Sequence, residues 1–220
     1  MVASKHMRPR EMSSSEFYRS NVFIARSPRL ERKVELVSSQ YEAWLFIEFD
    51  PEIDWFCERP PLGIDLLPLE GQSQPLDFWV VTRKGEQYGV LIYHEQAMSA
   101  RGRSLDLIER SIDRANIRCQ LWRANDLRKR LVHLRNLKQL LPFVLMPAVH
   151  GERVAERVLS YLKWAEAASS AVTWSDVIAH LGADFSGEAN CHIARLIHSG
   201  HIRANLLEYP LSDKTVLSLA

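Results

Sequence analysis

The segment SSQYEAWLFIEFDPEI carries apolar residues at helical spacing. Four of them fall on one helix face: Tyr41, Trp44, Leu45 and Phe49. Ser38 or Ser39 can cap this helix at its start. The dipeptide Asp50-Pro51 ends it, because a proline disfavours helical geometry in the residue before it. The pattern therefore predicts one amphipathic helix between the serines and Asp50.

A strand pattern follows this helix. The stretches DFWVVT (77–82) and YGVLIYH (88–94) are rich in β-branched and aromatic residues, and RKGEQ joins them as a hairpin turn. Three later elements are predicted in order, namely a helix, a strand and a long basic helix: 104–115, IRCQLW (117–122) and NDLRKRLVHLRNLKQLLPF starting at Asn125 or Asp126. This order of helix, strands, helix, strand and helix predicts an α/β core with a mixed sheet.

The chain after Pro147 has a different pattern, in which three helices precede a small β-ribbon. That order is typical of a winged-helix domain, whose core we expect Trp164 and Trp174 to anchor. We therefore predict a tag and flexible basic arm (1–25), an α/β domain (26–146) and a winged-helix-like domain (147–220), with the boundary inside 142–151. The first residues, MVASKHM, are typical of a vector-derived tag. The polar segment that continues to Val37 is expected to order only against the body of the protein or a partner.

Composition limits the class of protein. The 220 residues are 46% hydrophobic and 25% charged, which is enough for a folded core and argues against disorder. Apolar runs are too short to cross a bilayer, so no membrane partner is expected. Three widely spaced cysteines argue against a disulfide framework and favour a reducing cytoplasm.

Charge is segregated along the chain despite a net charge of +1. Seven basic and three acidic residues lie in 8–33, one basic and eight acidic in 42–70, and eleven basic and four acidic in 101–138. Solvated helix faces would give such blocks. The alternation also fits a site that gathers metal ions beside a surface that gathers phosphates.

Three motifs in this order resemble the TnsA-like endonuclease subunits of heteromeric transposases. They are YEAWLFIEFDPEIDWFCERP, PLDFWVVTRKG and VLIYHE, and LWRANDLRKRLVHLRNLKQLLPF resembles the segment that closes the family's nuclease domain. The resemblance covers the chain from about Arg26 to its end. It implies a restriction-endonuclease-like mixed sheet flanked by helices, with a winged-helix-like second domain. The implied activity is cleavage of one DNA strand at transposon ends, with a DDE-type transposase as partner and an ATPase regulator as a further partner.

The resemblance also implies the site residues. Glu42 matches the family's helix glutamate and Asp77 its central aspartate, whereas Tyr93 and Glu95 stand where the family has an acid or amide and a lysine. Mg²⁺ or Mn²⁺ would be held by Glu42, Asp77 and a main-chain oxygen at Tyr93, because hard cations prefer oxygen ligands and a phenol cannot replace a carboxylate. Glu95 would take the lysine's place as a base, and His94 is the other candidate base on the opposite strand face.

The sequence is also compatible with two other functions. A nuclease fold with a vacated metal site would serve as a DNA-binding or assembly module. A winged-helix regulator with an unrelated α/β domain would bind an operator without metal. For the transposase subunit as for these two alternatives, helical spacing groups Arg128, Arg135 and Lys138 as candidate phosphate contacts, and a solvated helix face would give the same pattern.

Overall fold

The computed structural model describes residues 7–14, 17, 21–37, 39–66, 72–100, 102–147, 151–182 and 184–220. Apart from Met7, the predicted tag lies outside these residues. Contacts divide the chain into two units. The first comprises the chain up to Ile47 and Glu52–Lys129, and the second comprises Glu48–Pro51 and Arg130–Ala220. The division therefore falls at Arg130, whereas the sequence pattern placed a boundary inside 142–151.

The first unit is a mixed α/β structure. Its strands are β1 (Val22–Ser27), β2 (Arg32–Val37), β3 (Ile53–Glu58), β4 (Gly63–Asp65), β5 (Ser73–Pro75), β6 (Phe78–Thr82), β7 (Gln87–Tyr93) and β8 (Cys119–Arg123). Its helices are α1 (Ser39–Phe49), whose end is counted with the second unit, α2 (Glu95–Ser99), α3 (Leu105–Arg114) and α4 (Ala124–Lys129).

The main sheet of this unit has the order β3-β6-β7-β8. Its first three strands are antiparallel neighbours, and β8 runs parallel to β7 after the crossover through α2 and α3. At the β6–β7 turn, Gly85 has a φ of 81°, a left-handed conformation that favours glycine. The predicted helix, hairpin and α/β core with a mixed sheet are confirmed.

The two faces of the sheet carry different side chains because successive residues of a strand alternate. One face supplies a cluster that includes Trp79, Val81, Leu91 and Tyr93, and Ile108 of α3 covers it. The hydroxyl of Ser104 accepts a hydrogen bond from the Leu107 amide and fixes the start of α3. The opposite face buries Phe56, Phe78, Val80, Val90 and Ile92.

The polar segment up to Val37, expected to order only against the body of the protein or a partner, contains two strands. Its second half forms an antiparallel hairpin of β1 and β2. Arg32 donates two hydrogen bonds of 2.6 Å to the carboxylate of Glu58, which is 1% exposed. A paired arginine and carboxylate of this kind ties the hairpin to β3.

The second unit is mainly helical. Its elements are α5 (Leu131–Leu145), α6 (Gly151–Ala167), β9 (Val172–Thr173), α7 (Trp174–Leu181), α8 (Ser186–His198), β10 (Ile202–Ala204) and β11 (Val216–Leu219). The three short strands form an antiparallel sheet of order β10-β11-β9. Glu48, which is fully buried, contributes an oxygen 2.9 Å from the His198 imidazole within this unit.

Two sequence predictions for this region are wrong. The long basic helix is interrupted at Arg130, whose backbone (φ −87°, ψ 43°) separates α4 from α5, and α5 continues through Pro142. Trp164 is 64% exposed and does not anchor a core, although Trp174 is buried as expected. The Trp164 error concerns burial, because large apolar side chains also occur on the surface of folded proteins.

None of the helices in the described ranges is both long enough and apolar enough to cross a membrane. All three cysteines are free thiols.

Candidate functional site

Asp77 lies immediately before β6 and faces the first turn of α1. Its carboxylate accepts hydrogen bonds from the Gln40 side-chain amide at 2.8 Å and from the Ile92 backbone amide at 2.6 Å. Burial raises the pKa of Asp77 to about 6, and the two hydrogen bonds oppose that rise. Near pH 7 the side chain is therefore mostly an anion held by two N–H donors.

Glu42 lies in the same first turn but faces α4. The guanidinium Nε of Arg128 lies 3.7 Å from its Oε2. Within the part of the chain that the structure describes, this buried oxygen makes no hydrogen bond. Glu42 is therefore paired electrostatically with a cation of the protein itself.

His94 follows β7 and joins these groups. Its Nε2 lies 2.6 Å from the hydroxyl of Ser39. Burial lowers the pKa of His94, the charge of Arg128 lowers it further, and Glu42 raises it. The imidazole is therefore neutral near pH 7 and lies within electrostatic reach of both members of the Glu42–Arg128 pair.

The other two predicted positions have different surroundings. Tyr93 is 5% exposed and belongs to the apolar cluster that Ile108 covers. Strand alternation therefore directs its ring to the sheet face opposite His94. Glu95 is exposed at the first position of α2.

The structure thus brings Glu42 and Asp77 to the same end of α1, but their partners differ. Asp77 contacts Gln40 and the Ile92 amide, whereas Glu42 contacts Arg128. The roles of Ser39 and Gln40 were missed by sequence reasoning, which treated this turn as a cap. The sequence does show polar residues in this first turn. In the structure their side chains are buried, with Ser39 3% and Gln40 7% exposed.

A cavity of about 620 Å³ opens beside this cluster. Tyr93, His94 and Glu95 line it together with basic side chains that include Arg128. Acidic residues pair with two more of its basic groups, as Glu109 does with Arg123 and Asp126 with Lys129. The cavity is therefore polar and of mixed charge.

The donor set fits a resident Mg²⁺ or Mn²⁺ poorly. Such an ion needs several converging oxygen ligands, usually carboxylates. Both oxygens of Asp77 already accept hydrogen bonds, and Glu42 already faces a guanidinium. The phenol of Tyr93 lies within an apolar cluster. Across the described ranges, no three His, Cys, Asp or Glu side chains converge as a metal site.

The predicted phosphate contacts fall in both units. Arg128 is exposed on α4 of the first unit, and Arg135 and Lys138 are exposed on α5 of the second. Arg135 and Lys138 are three residues apart on one helix and so share a face. The predicted continuous stripe that included Arg128 is interrupted at Arg130.

A scan against protein-family models finds no match for this sequence. A search of curated proteins finds no significant match either.

Proposed function

We propose that this chain is a TnsA-like subunit of a heteromeric transposase, with a restriction-endonuclease-like first unit and a winged-helix-like second unit. In this role it binds DNA at transposon ends and assembles with a DDE-type transposase and an ATPase regulator. The order of α1, an antiparallel three-stranded sheet, a helical crossover and a parallel fourth strand is compatible with such a nuclease fold. The positions of Glu42 on the helix and Asp77 before the second strand of the sheet also agree with the resemblance.

We further propose that the first unit serves binding and assembly rather than strand cleavage. The observation that supports this most strongly is the separate pairing of the two acids that the resemblance singles out: Arg128 lies 3.7 Å from Glu42, while Gln40 and the Ile92 amide hold Asp77. The guanidinium of Arg128, although exposed on α4, places a positive charge beside Glu42 where a metal would otherwise bring one. Exposed Arg135 and Lys138 would then contact phosphates, which every DNA sequence offers.

The cleavage assay separates these roles. Purified full chain is mixed with DNA carrying the transposon ends and Mg²⁺ or Mn²⁺, with and without the partner transposase. We expect binding without a nick attributable to this chain, and an unchanged product pattern for Asp77→Ala. Metal-dependent nicks that disappear in Asp77→Ala would overturn the non-cutting role and leave the transposase assignment in place.

DNA strand cleavage is the second candidate function, and one atom of Glu42 supports it. Oε2 of Glu42 is buried and, in the described part of the chain, makes no hydrogen bond, so it retains an oxygen that a cation could use. The nicking result with Asp77→Ala decides between the two roles.

Salt dependence tests the DNA surface. We expect the affinity for end DNA to fall steeply with salt, with a logarithmic slope reduced by about 1 in Arg135→Ala and in Lys138→Ala. Lys84→Ala is the matched control, because Lys84 is 79% exposed and belongs to the β6–β7 turn of the first unit, not to a helix. Equal slopes in the unaltered chain and the three variants would show that α5 does not contact the DNA. Tight binding to one operator, with no effect of the partner transposase, would instead support a regulator.

A further inference from the structure

Three aromatic rings form a stack on the surface of the second unit. Tyr161 of α6 stacks on Trp164 of the same helix, with ring centroids 5.9 Å apart and an angle of 20° between the ring planes. Tyr161 also stacks on His180 of α7, at 4.2 Å and 12°. Trp164 is nevertheless 64% exposed. Its indole is therefore open to solvent on the side away from Tyr161.

Packing of the core does not account for this tryptophan. The buried positions of α6 follow helical spacing, and they are Val154, Val158, Leu162 and Ala165. Trp164 lies outside this buried stripe, and Tyr161 favours one orientation of its ring, because aromatic pairs prefer an offset stack. A ring that is already oriented can bind a second planar group with little further loss of conformational freedom. The open side of Trp164 therefore suits a planar aromatic group.

A cavity of about 460 Å³ adjoins the same helix. Ser160 and Lys163 line it from α6, and His201 lines it from the position immediately before β10. The Ser199 hydroxyl lies 2.7 Å from Nδ1 of this imidazole. No Asp or Glu side chain is found among the described lining residues, although the terminal residue Ala220 also borders the cavity. The amine, the hydroxyl and the imidazole are groups that contact phosphate oxygens.

Helical geometry places the stack and the cavity side by side. Ser160 and Trp164 are four residues apart and therefore share a face of α6, with Lys163 next to Trp164 at its border. A nucleotide joins a planar base to an anionic phosphate, so the two features match its two parts. Neighbouring base pairs cover the faces of a base inside a duplex, whereas an unpaired strand leaves them accessible. The occupant that fits is therefore single-stranded.

We propose that this face of α6 binds one nucleotide of single-stranded DNA. The base stacks on the open side of Trp164, and Lys163, Ser160 and His201 contact its phosphate. Every base has a π-face, so the site accepts any sequence. This inference goes beyond the phosphate contacts proposed for α5, which duplex DNA can satisfy, and it does not depend on cleavage by the first unit.

Titration with an oligonucleotide tests the stack. The full chain is titrated with single-stranded oligothymidylate of about eight nucleotides. The indole ¹⁵N–H resonance of Trp164, assigned by its absence in Trp164→Phe, is followed. We expect a saturable shift of this resonance, and an affinity at least about fivefold weaker in Trp164→Ala, because the stacked base is lost. Trp164→Phe retains a ring and should recover part of this loss. Tyr209→Ala removes another exposed aromatic ring of the second unit and should bind as the unaltered chain does.

Salt dependence tests the phosphate contact separately. We expect Lys163→Ala to reduce the logarithmic salt slope of oligothymidylate binding by about 0.7, the value for one phosphate contact on a single strand. Trp164→Ala should weaken binding without changing the slope, since stacking neutralises no phosphate. Lys84→Ala, an exposed lysine of the first unit, is the control and should leave both quantities unchanged.

Three outcomes would overturn the proposal. They are an unmoved Trp164 resonance at saturating oligothymidylate, full affinity in Trp164→Ala, and an equal shift when the oligonucleotide is annealed to its complement. An unchanged salt slope in Lys163→Ala would overturn the phosphate contact. Thermal melting verifies that each variant folds. If Trp164→Ala fails to fold, Tyr161→Leu removes the ring that orients Trp164, and full affinity in that variant would equally contradict the stack.

Discussion

The two units differ in the chemistry of their buried polar networks. In the first unit, Asp77 is a carboxylate whose pKa burial raises to about 6, with Gln40 and Ile92 as its donors. The second unit also buries a carboxylate, Glu48 beside His198, but the network that holds the segment after β10 is built on a neutral amide. Asn136 is 2% exposed, donates to the carbonyls of Leu206 and Tyr209, and accepts from the Leu211 amide.

This difference separates a structural network from a candidate functional one. The amide of Asn136 holds the segment after β10 at no electrostatic cost, because it carries no charge to desolvate. The carboxylate of Asp77 carries that cost near pH 7, and a neutral residue would avoid it. Polar groups retained at such a cost are more often found at functional sites, which favours the first turn of α1 over the second unit's network.

Removing the neutral network should have the largest effect. We expect Asn136→Ala to lower the free energy of unfolding by about 2–4 kcal/mol, because it removes three hydrogen bonds of a buried side chain and leaves their main-chain partners unpaired. Denaturant unfolding measures the loss, and faster hydrogen exchange at Leu211 locates it. The exposed Asn125 provides the control substitution Asn125→Ala, which should change the stability little. A loss that varies with pH between 4 and 7 would show that the Asn136 network contains a titrating group and is not neutral.

The contribution of the Asp77 network to the free energy of unfolding should instead depend on pH. The pKa of Asp77 is raised from 3.8 to about 6 on folding, so folding favours its protonated form. The associated stability is present below pH 4 and is lost as the pH rises through about 6. Relative to Asp77→Asn, we expect the unaltered chain to lose about 1–3 kcal/mol between pH 4 and pH 7. Parallel stability curves for the two proteins would show that burial does not shift this carboxyl group.

A helix cap in the second unit should contribute less to the stability of the protein. The hydroxyl of Thr173 accepts a hydrogen bond from the Asp176 amide, and the Asp176 carboxylate accepts one from the Thr173 amide. We expect Thr173→Ala to lower the free energy of unfolding by about 1 kcal/mol, measured by denaturant unfolding. Thr173→Ser retains the hydroxyl and should recover most of it. Equal losses in the two variants would remove the cap as the cause.

The smallest effect is a change of charge around His94. Burial and Arg128 lower its pKa, and Glu42 raises it. We therefore expect Arg128→Gln to raise the pKa of His94 and Glu42→Gln to lower it, as measured by NMR titration of the imidazole. His201, immediately before β10 in the second unit, serves as an internal reference. Shifts of the same sign in both variants would place His94 outside the Glu42–Arg128 pair.

Local patterns predicted much of this fold from the sequence. Proline after α1, the Gly85 turn and the helical spacing of α3 act over a few residues, so the sequence displays their effect directly. The β1–β2 hairpin was missed because its strands mix charged and apolar residues. Its attachment depends on Glu58, which is distant in the sequence and becomes a partner of Arg32 only after folding.

The candidate site was predicted less completely for the same reason. The order of the motifs identified Glu42 and Asp77 as candidates. It did not identify the residues that contact them. Gln40 meets Asp77 across 37 positions of the chain, and Arg128 approaches Glu42 from a later helix. Such pairings follow from tertiary packing, which also decides that the ring of Tyr93 enters the apolar cluster.

The discontinuous second unit has a practical consequence for dividing the molecule. A single cut at Arg130 leaves Glu48–Pro51 on the wrong fragment. The carboxylate of Glu48, fully buried beside His198 in the intact chain, would then lose its cover, and the other fragment would lack four of its residues. Truncated versions made at this point should therefore be less soluble than the whole. A circular permutant or a grafted copy of residues 48–51 is the more promising route to an isolated second unit.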